Sequence, residues 1–174
     1  LAVIRGIILR HGGNIEVGSP NPTKHLLNAG IWTTAAVGAG AVAYIVDLLG
    51  CYPKILTNSA SSQALTNTLT LPRYAAGDNV RAFFSLNTAN GANAANATMV
   101  YTNSNGTGGR SLGTAVAHTA SAITGHMSHT GVAAGNFGPF LPLAGGDAGV
   151  RSVESFQFSA ASASAGFIDL VLCR

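Results

Sequence analysis

Six carboxylates, Glu16, Asp47, Asp78, Asp147, Glu154 and Asp169, and five histidines are the groups from which acid–base or metal chemistry would have to be built in this chain. A general acid working with a base needs two such groups at a set separation, and nothing in the spacing along the chain selects a pair. His126 and His129 form an H-x-x-H pair, with His118 eight positions earlier. A metal held there would want a carboxylate or a cysteine nearby, and none is close in sequence. These residues are therefore expected as exposed polar histidines of a loop, with an assembly that responds to acid through them as the alternative. No G-x-S-x-G nucleophile elbow occurs. The "GTGG" at 106–109 sits between expected strands, with no helix to supply an anion site, and reads as a hairpin turn. No catalytic residue, cofactor or metal is assigned, and an enzyme is not expected.

The same scarcity of charge limits the partners. Charged residues make up 9% of the 174, against roughly 25% in ordinary soluble domains. A neutral, small-residue surface of this kind is expected to be covered by copies of the chain or by partners. The nine basic residues are scattered singly, so the clustered stripe that tracks phosphates is missing and nucleic acid is not an expected partner. Cys51 and Cys173 lie far apart with no C-x-x-C spacing; buried free thiols are the expectation, a disulfide between them the alternative. The uncharged run Leu26 to Val46 contains Asn28, Thr33, Thr34 and several glycines, and is better explained by a small-residue loop followed by a strand than by a membrane span. The opening "LAVIRGIILRHGG" is interrupted by Arg5 and Arg10 and does not read as a signal peptide.

What must position any site is a set of short β segments separated by Gly, Asn, Pro and Ser clusters, with almost no helical periodicity. Strands are expected at Val3–Leu9, Ala43–Cys51, Ala64–Leu71, Val80–Asn87, Ala97–Thr102, Arg110–His118, Val150–Ser159 and Phe167–Cys173. The fold class is all-β, a two-sheet antiparallel β-sandwich of jelly-roll type with long loops or an N-terminal arm. "NSNGTGG" (103–109) and "TANGANAAN" (88–96) are turn signals, and 119–138 reads as a long loop. Leu-Pro, Gly-Asp and Val-Arg recur in the same order in "LPRYAAGDNVRAFF" (71–84) and "LPLAGGDAGVRSVESF" (141–156), as if one crossover were used twice. In each, Gly is expected to take the turn conformation and Asp to bond backbone amides ahead of it. Trp32, Phe137 and Phe140 fall in loop or arm segments and are possible interface anchors, burial under the chain's own loops being the other way to house them.

At "LPRYAAGDNVRAFFSLNTANGANAANATMVYTNSNGTGGRS" and "FGPFLPLAGGDAGVRSVESFQFSAASASAGFIDLVLCR" the chain resembles tailed-bacteriophage virion structural proteins. There, a segment like "LPRY…G…V" leads to "YTN…GT.GR", and a closing "PFLPL..GD.GVRSV" leads to a last strand ending "LVLCR". The resemblance covers roughly the last 110 residues and reaches "AYIVDLLGCYPKI"; the first 40 have no counterpart in it. The organisation expected is an N-terminal strand and arm or loop over residues 1–40 and the β-sandwich over 41–174, a single domain overall. The resemblance implies a capsid decoration (cement) protein on the outside of a phage head, with the major capsid protein and copies of itself, as a trimer, for partners. Neither a membrane nor direct contact with nucleic acid is implied. A tail or fibre component that binds a host surface is the alternative.

Overall fold

Along Phe167–Cys173, every second side chain, Ile168, Leu170 and Leu172, is fully buried at 0% exposure, the period of a strand with one face on a core. This strand, β8, is the centre of one of two antiparallel sheets. The computed structural model describes residues 46–65, 69–128 and 139–174. Among them lie β1 (Leu48–Leu56), β2 (Gln63–Ala64), β3 (Arg81–Thr88), β4 (Ala95–Asn103), β5 (Arg110–Ser111), β6 (Val116–His118), β7 (Val150–Phe158) and β8, and no helix. The three-stranded sheet runs β1-β8-β3; the five-stranded sheet runs β2-β7-β4-β5, with β6 also paired to β4. The fold is all-β and sandwich-like.

The core draws on both sheets: Leu49, Tyr52, Phe84 and Leu170 from one, Met99, Tyr101, Phe156 and Phe158 from the other. Phe84 meets Phe156 and Phe158 edge-on at centroid distances of 5.8 and 6.4 Å, geometry worth about 0.5–1.5 kcal/mol per pair beyond the buried area. The facing strand β7 bulges: Val100 pairs with Ser155 but Tyr101 with Val153, so Glu154 is the extra residue. The Val153 N–H instead donates to the Tyr52 hydroxyl of the opposite sheet at 3.1 Å, so the bulge ties the two layers together.

The two copies of the repeated motif share one turn and touch each other, while Tyr74 and Asn79 take positive φ in the first copy without a counterpart in the second. Gly77 N–H donates to Tyr74 O and Asp147 N–H to Ala144 O, with turns at the same offset from Leu71 and Leu141. Gly77 and Gly146 both take φ +85°, a conformation glycine adopts freely. Each copy then launches a strand from a fully buried valine, Val80 into β3 and Val150 into β7, and Val150 N–H donates to Val80 O at 3.1 Å. Gly149 lies so close to the first copy that an added Cβ would strike Gly77 O and come within 2.8 Å of Asn79 N.

Several expected strands are corrected. The strand expected at Ala43–Cys51 begins at Leu48 and runs on to Leu56 through Pro53, which this position tolerates because β1 is a sheet edge among the described residues and bulges there. The segment expected at Ala64–Leu71 pairs only at Gln63–Ala64, and residues 66–68 lie outside the described set. Arg110–His118 is two strands, because Gly113 leaves the sheet to donate its N–H to Pro142 O at 2.9 Å. "TANGANAAN" is a crossing from one sheet to the other, since β3 and β4 belong to different sheets. The strand expected at Val3–Leu9 and the uncharged run up to Ile45 lie outside the described residues; among those described, no helix is long and apolar enough to cross a membrane.

Candidate functional site

Asp147, at the second copy of the repeat, does not bond the amides ahead of it as turn chemistry predicts. Its carboxylate turns inward and collects side chains from β4 and β5. Arg110 Nε donates to Oδ2 at 2.9 Å, Tyr101 Oη to Oδ2 at 2.7 Å and Asn103 Nδ2 to Oδ1 at 2.8 Å. Asn103 is aimed by its own turn, its Oδ1 accepting from Asn105 N and Thr107 N. Tyr101 Oη also accepts from Ala144 N at 2.8 Å. The Arg110 hydrogen bond, then those from Tyr101 and Asn103, hold the Asp147 carboxyl down at about 2, while burial and the neighbouring carboxylate push the Tyr101 phenol up to about 12. A carboxylate ionised this firmly has no proton to donate at neutral pH. The cluster clips the 141–149 loop to the β4–β5 hairpin.

His118 is corrected from exposed loop residue to core residue, at 2% exposure. It ends β6, two positions after buried Val116 on the same face, and its ring packs against Phe158 at 5.0 Å and Phe84 at 5.8 Å. The apolar surroundings, then His126, lower its pKa from 6.5. His126 is half-buried, and His129 lies outside the described residues. Among the described residues, no three His, Cys, Asp or Glu side chains gather as metal ligands.

The two outer faces of the sandwich differ in kind. On the five-stranded sheet the outward positions of β4 and β7 include Asn96, Thr98, Thr102, Ser155 and Gln157, with half-buried Val100 among them, a mostly wet surface. On the three-stranded sheet the outward pairs are Leu48 with Cys173, Cys51 with Val171 and Leu56 with Phe167 on the β1 side, and exposed Arg81 with Cys173, Phe83 with Val171 and Ser85 with Asp169 on the β3 side. Met127 joins this face through its bridge to Ser85. Leu48, Leu56 and Met127 remain 40%, 38% and 41% exposed, whereas Val171 and Cys173 are buried although they lie outside the core cluster. The carboxylate on this face, Asp169, is engaged: it accepts from Lys54 N at 3.0 Å, filling the β1 bulge where Lys54 sits at φ +59°, and from Asn87 Nδ2 at 2.7 Å. Both cysteines are free; Cys173 is buried as expected, whereas Cys51, also expected to be buried, is exposed on its edge strand. Partial desolvation, with Asp169 beside Cys51 and Asp47 beside Cys173, pushes each thiol up to about 11, far from a nucleophile at neutral pH.

Of the expected anchors, Phe140 is half-buried, edge-on to Phe83 at 6.4 Å, so it packs beside the apolar outer face. Trp32 and Phe137 lie outside the described residues. The face itself is a feature that sequence reasoning missed, although the apolar character of both sides of Phe167–Cys173 was its signal. Comparison of the chain with protein-family models, with curated proteins and with solved structures found no match.

Proposed function

We propose that this chain is a non-enzymatic structural protein of a virion, a capsid decoration protein that lies on the outside of a phage head and bridges major capsid subunits. The observation that carries the reading is the contrast between the two outer faces, one mostly apolar, with Asp169 engaged and Arg81 at its β3 side, the other mostly polar. A protein laid on a shell needs one face to bury and one to leave in water. Burying the exposed remainder of Leu48, Leu56 and Met127 would contribute roughly 0.5–1 kcal/mol each, a weak contact per copy that many copies on one lattice make durable. Copies of the chain, as a trimer, would share the same face. The finer fold is a jelly roll, supported by the strand order: the 125–128 segment hydrogen-bonds along β3 and gives β1-β8-β3 a fourth member opposite β2-β7-β4-β5.

Locating and counting this chain in maps of purified particles tests the reading. Hundreds of copies, with the three-stranded sheet towards the shell, are expected, and Leu48→Glu or Met127→Glu should strip them without unfolding the protein. A handful of copies at the tail would overturn the decoration role in favour of attachment to a host surface.

A further inference from the structure

Asn90 fixes the tautomer of neutral His118. Its Oδ1 accepts from Ala122 N at 2.7 Å and its Nδ2 donates to Thr119 O at 3.0 Å, so two backbone partners set which way the amide points. The second Nδ2 hydrogen then faces His118 Nε2 at 2.8 Å, and that nitrogen must be an acceptor. The neutral ring therefore carries its hydrogen on Nδ1, which is buried and finds no hydrogen-bond partner. An acquired proton has one place to go, Nε2, where it would set donor against donor.

We propose that His118 and Asn90 form a proton-operated latch on the 119–123 segment, the stretch before the chain joins β3 at 125–128. Protonation of Nε2 forces the Asn90 amide to turn over, and both of its bonds to the loop, at Thr119 and Ala122, are lost together. Around them the loop is held by Ser121 N to Gly91 O at 2.8 Å and Asn90 N to Ala122 O at 3.3 Å, so the amide is the largest single tie in this stretch. The released segment carries buried Ala122, a plug at the edge of the core, and Ile123, 74% exposed. The titratable group acting on His118 is His126, whose charge would oppose the same protonation; β3 and β7 present the Phe84 and Phe158 rings. The sign follows: the unfolded or unlatched chain takes up the proton near pH 6.5 and the latched one does so lower, so the latch holds fully above that value and weakens as pH falls below it.

Amide hydrogen exchange of the whole chain, read residue by residue as protection factors at pH 7 and pH 5, tests this. Ala122 should lose at least about tenfold in protection while Leu170 and Leu172 in the central strand keep theirs. His118→Gln, which offers an acceptor that does not titrate, should hold Ala122 protection constant across the range. His126→Gln should retain the response with its midpoint moved up. Unchanged Ala122 protection in the parent, or a loss that persists in His118→Gln, overturns the latch. Should that variant not fold, NMR titration of the parent decides: the His118 ring signals and the Ala122 protection must move at the same pH, and independent movement refutes the proposal.

Discussion

Removing one oxygen from Tyr101 is the sharpest perturbation of the Asp147 clip. The ring is fully buried and Phe fills the same space, so Tyr101→Phe changes little in the packing. It deletes the donor to Asp147 and the acceptor for Ala144 N–H. A hydrogen bond to a charged group is worth about 1.5–3 kcal/mol, and a backbone N–H left without its partner adds to the loss where water cannot reach it. Asp147 keeps Arg110 and Asn103, which limits the damage, and we expect a net cost of about 2–3 kcal/mol. For a chain of this size that lowers the melting temperature by roughly 6–9 °C, at about 3 °C per kcal/mol. Urea unfolding followed by far-UV circular dichroism should show a lower midpoint with an unchanged m-value. In an Asp147→Asn background the same substitution should cost less than it does alone. A variant within about 0.5 kcal/mol of the parent, or equal cost in both backgrounds, would mean that the cluster is decoration on a loop held by packing alone.

Three further outcomes follow from the same geometry. Asp147 is ionised down to about 2 in the folded chain against 3.8 ordinarily, so its contribution is complete above pH 3.8 and is lost as pH falls through that window; Asp147→Asn should flatten the acid limb of the stability curve there. Gly149→Ala should cost about 3 kcal/mol or more, because the new methyl meets backbone on the other copy of the repeat and no flexible side chain can yield; thermal unfolding checks it. Cys51, with its thiol near 11 instead of 9.0, should alkylate at pH 8 tens of times to about a hundredfold more slowly than an unhindered cysteine, and Asp169→Asn should speed it. Mass spectrometry of a timed iodoacetamide reaction measures both.

The strands β3, β4, β7 and β8 were legible because burial and alternation coincide there: Met99 and Tyr101 point one way, Ile168, Leu170 and Leu172 likewise, and polar turns bound each run. Where the chain obeys a distant partner, the local pattern misleads. Gly113 breaks an apparent strand to reach Pro142, a contact nothing near it announces. His118 stands before a polar, Gly- and Ser-containing stretch and so reads as exposed, although its period-two relation to Val116 was a signal of the core. Asp147 looked like its counterpart Asp78 in the repeat. What separates them is Tyr101, Asn103 and Arg110, brought in by a hairpin that the turn sequence predicts but whose position relative to the 141–149 loop it does not.

The place of β8 in the three-stranded sheet bears on how the chain comes to be folded at all. β1 and β3 each pair with β8 and not with each other, so on the ribosome two strands must wait for a third made some 80 residues after the later of them. Until residues 167–173 emerge, Phe84 and Leu86 can pair only with the 125–128 segment on their far side, and β1 and the β8 side of β3 offer open edges to other nascent chains. Folding of this half is therefore completed after synthesis of its last strand, with long-range closure as the slow step, and crowding of nascent chains is the condition under which it would misassemble.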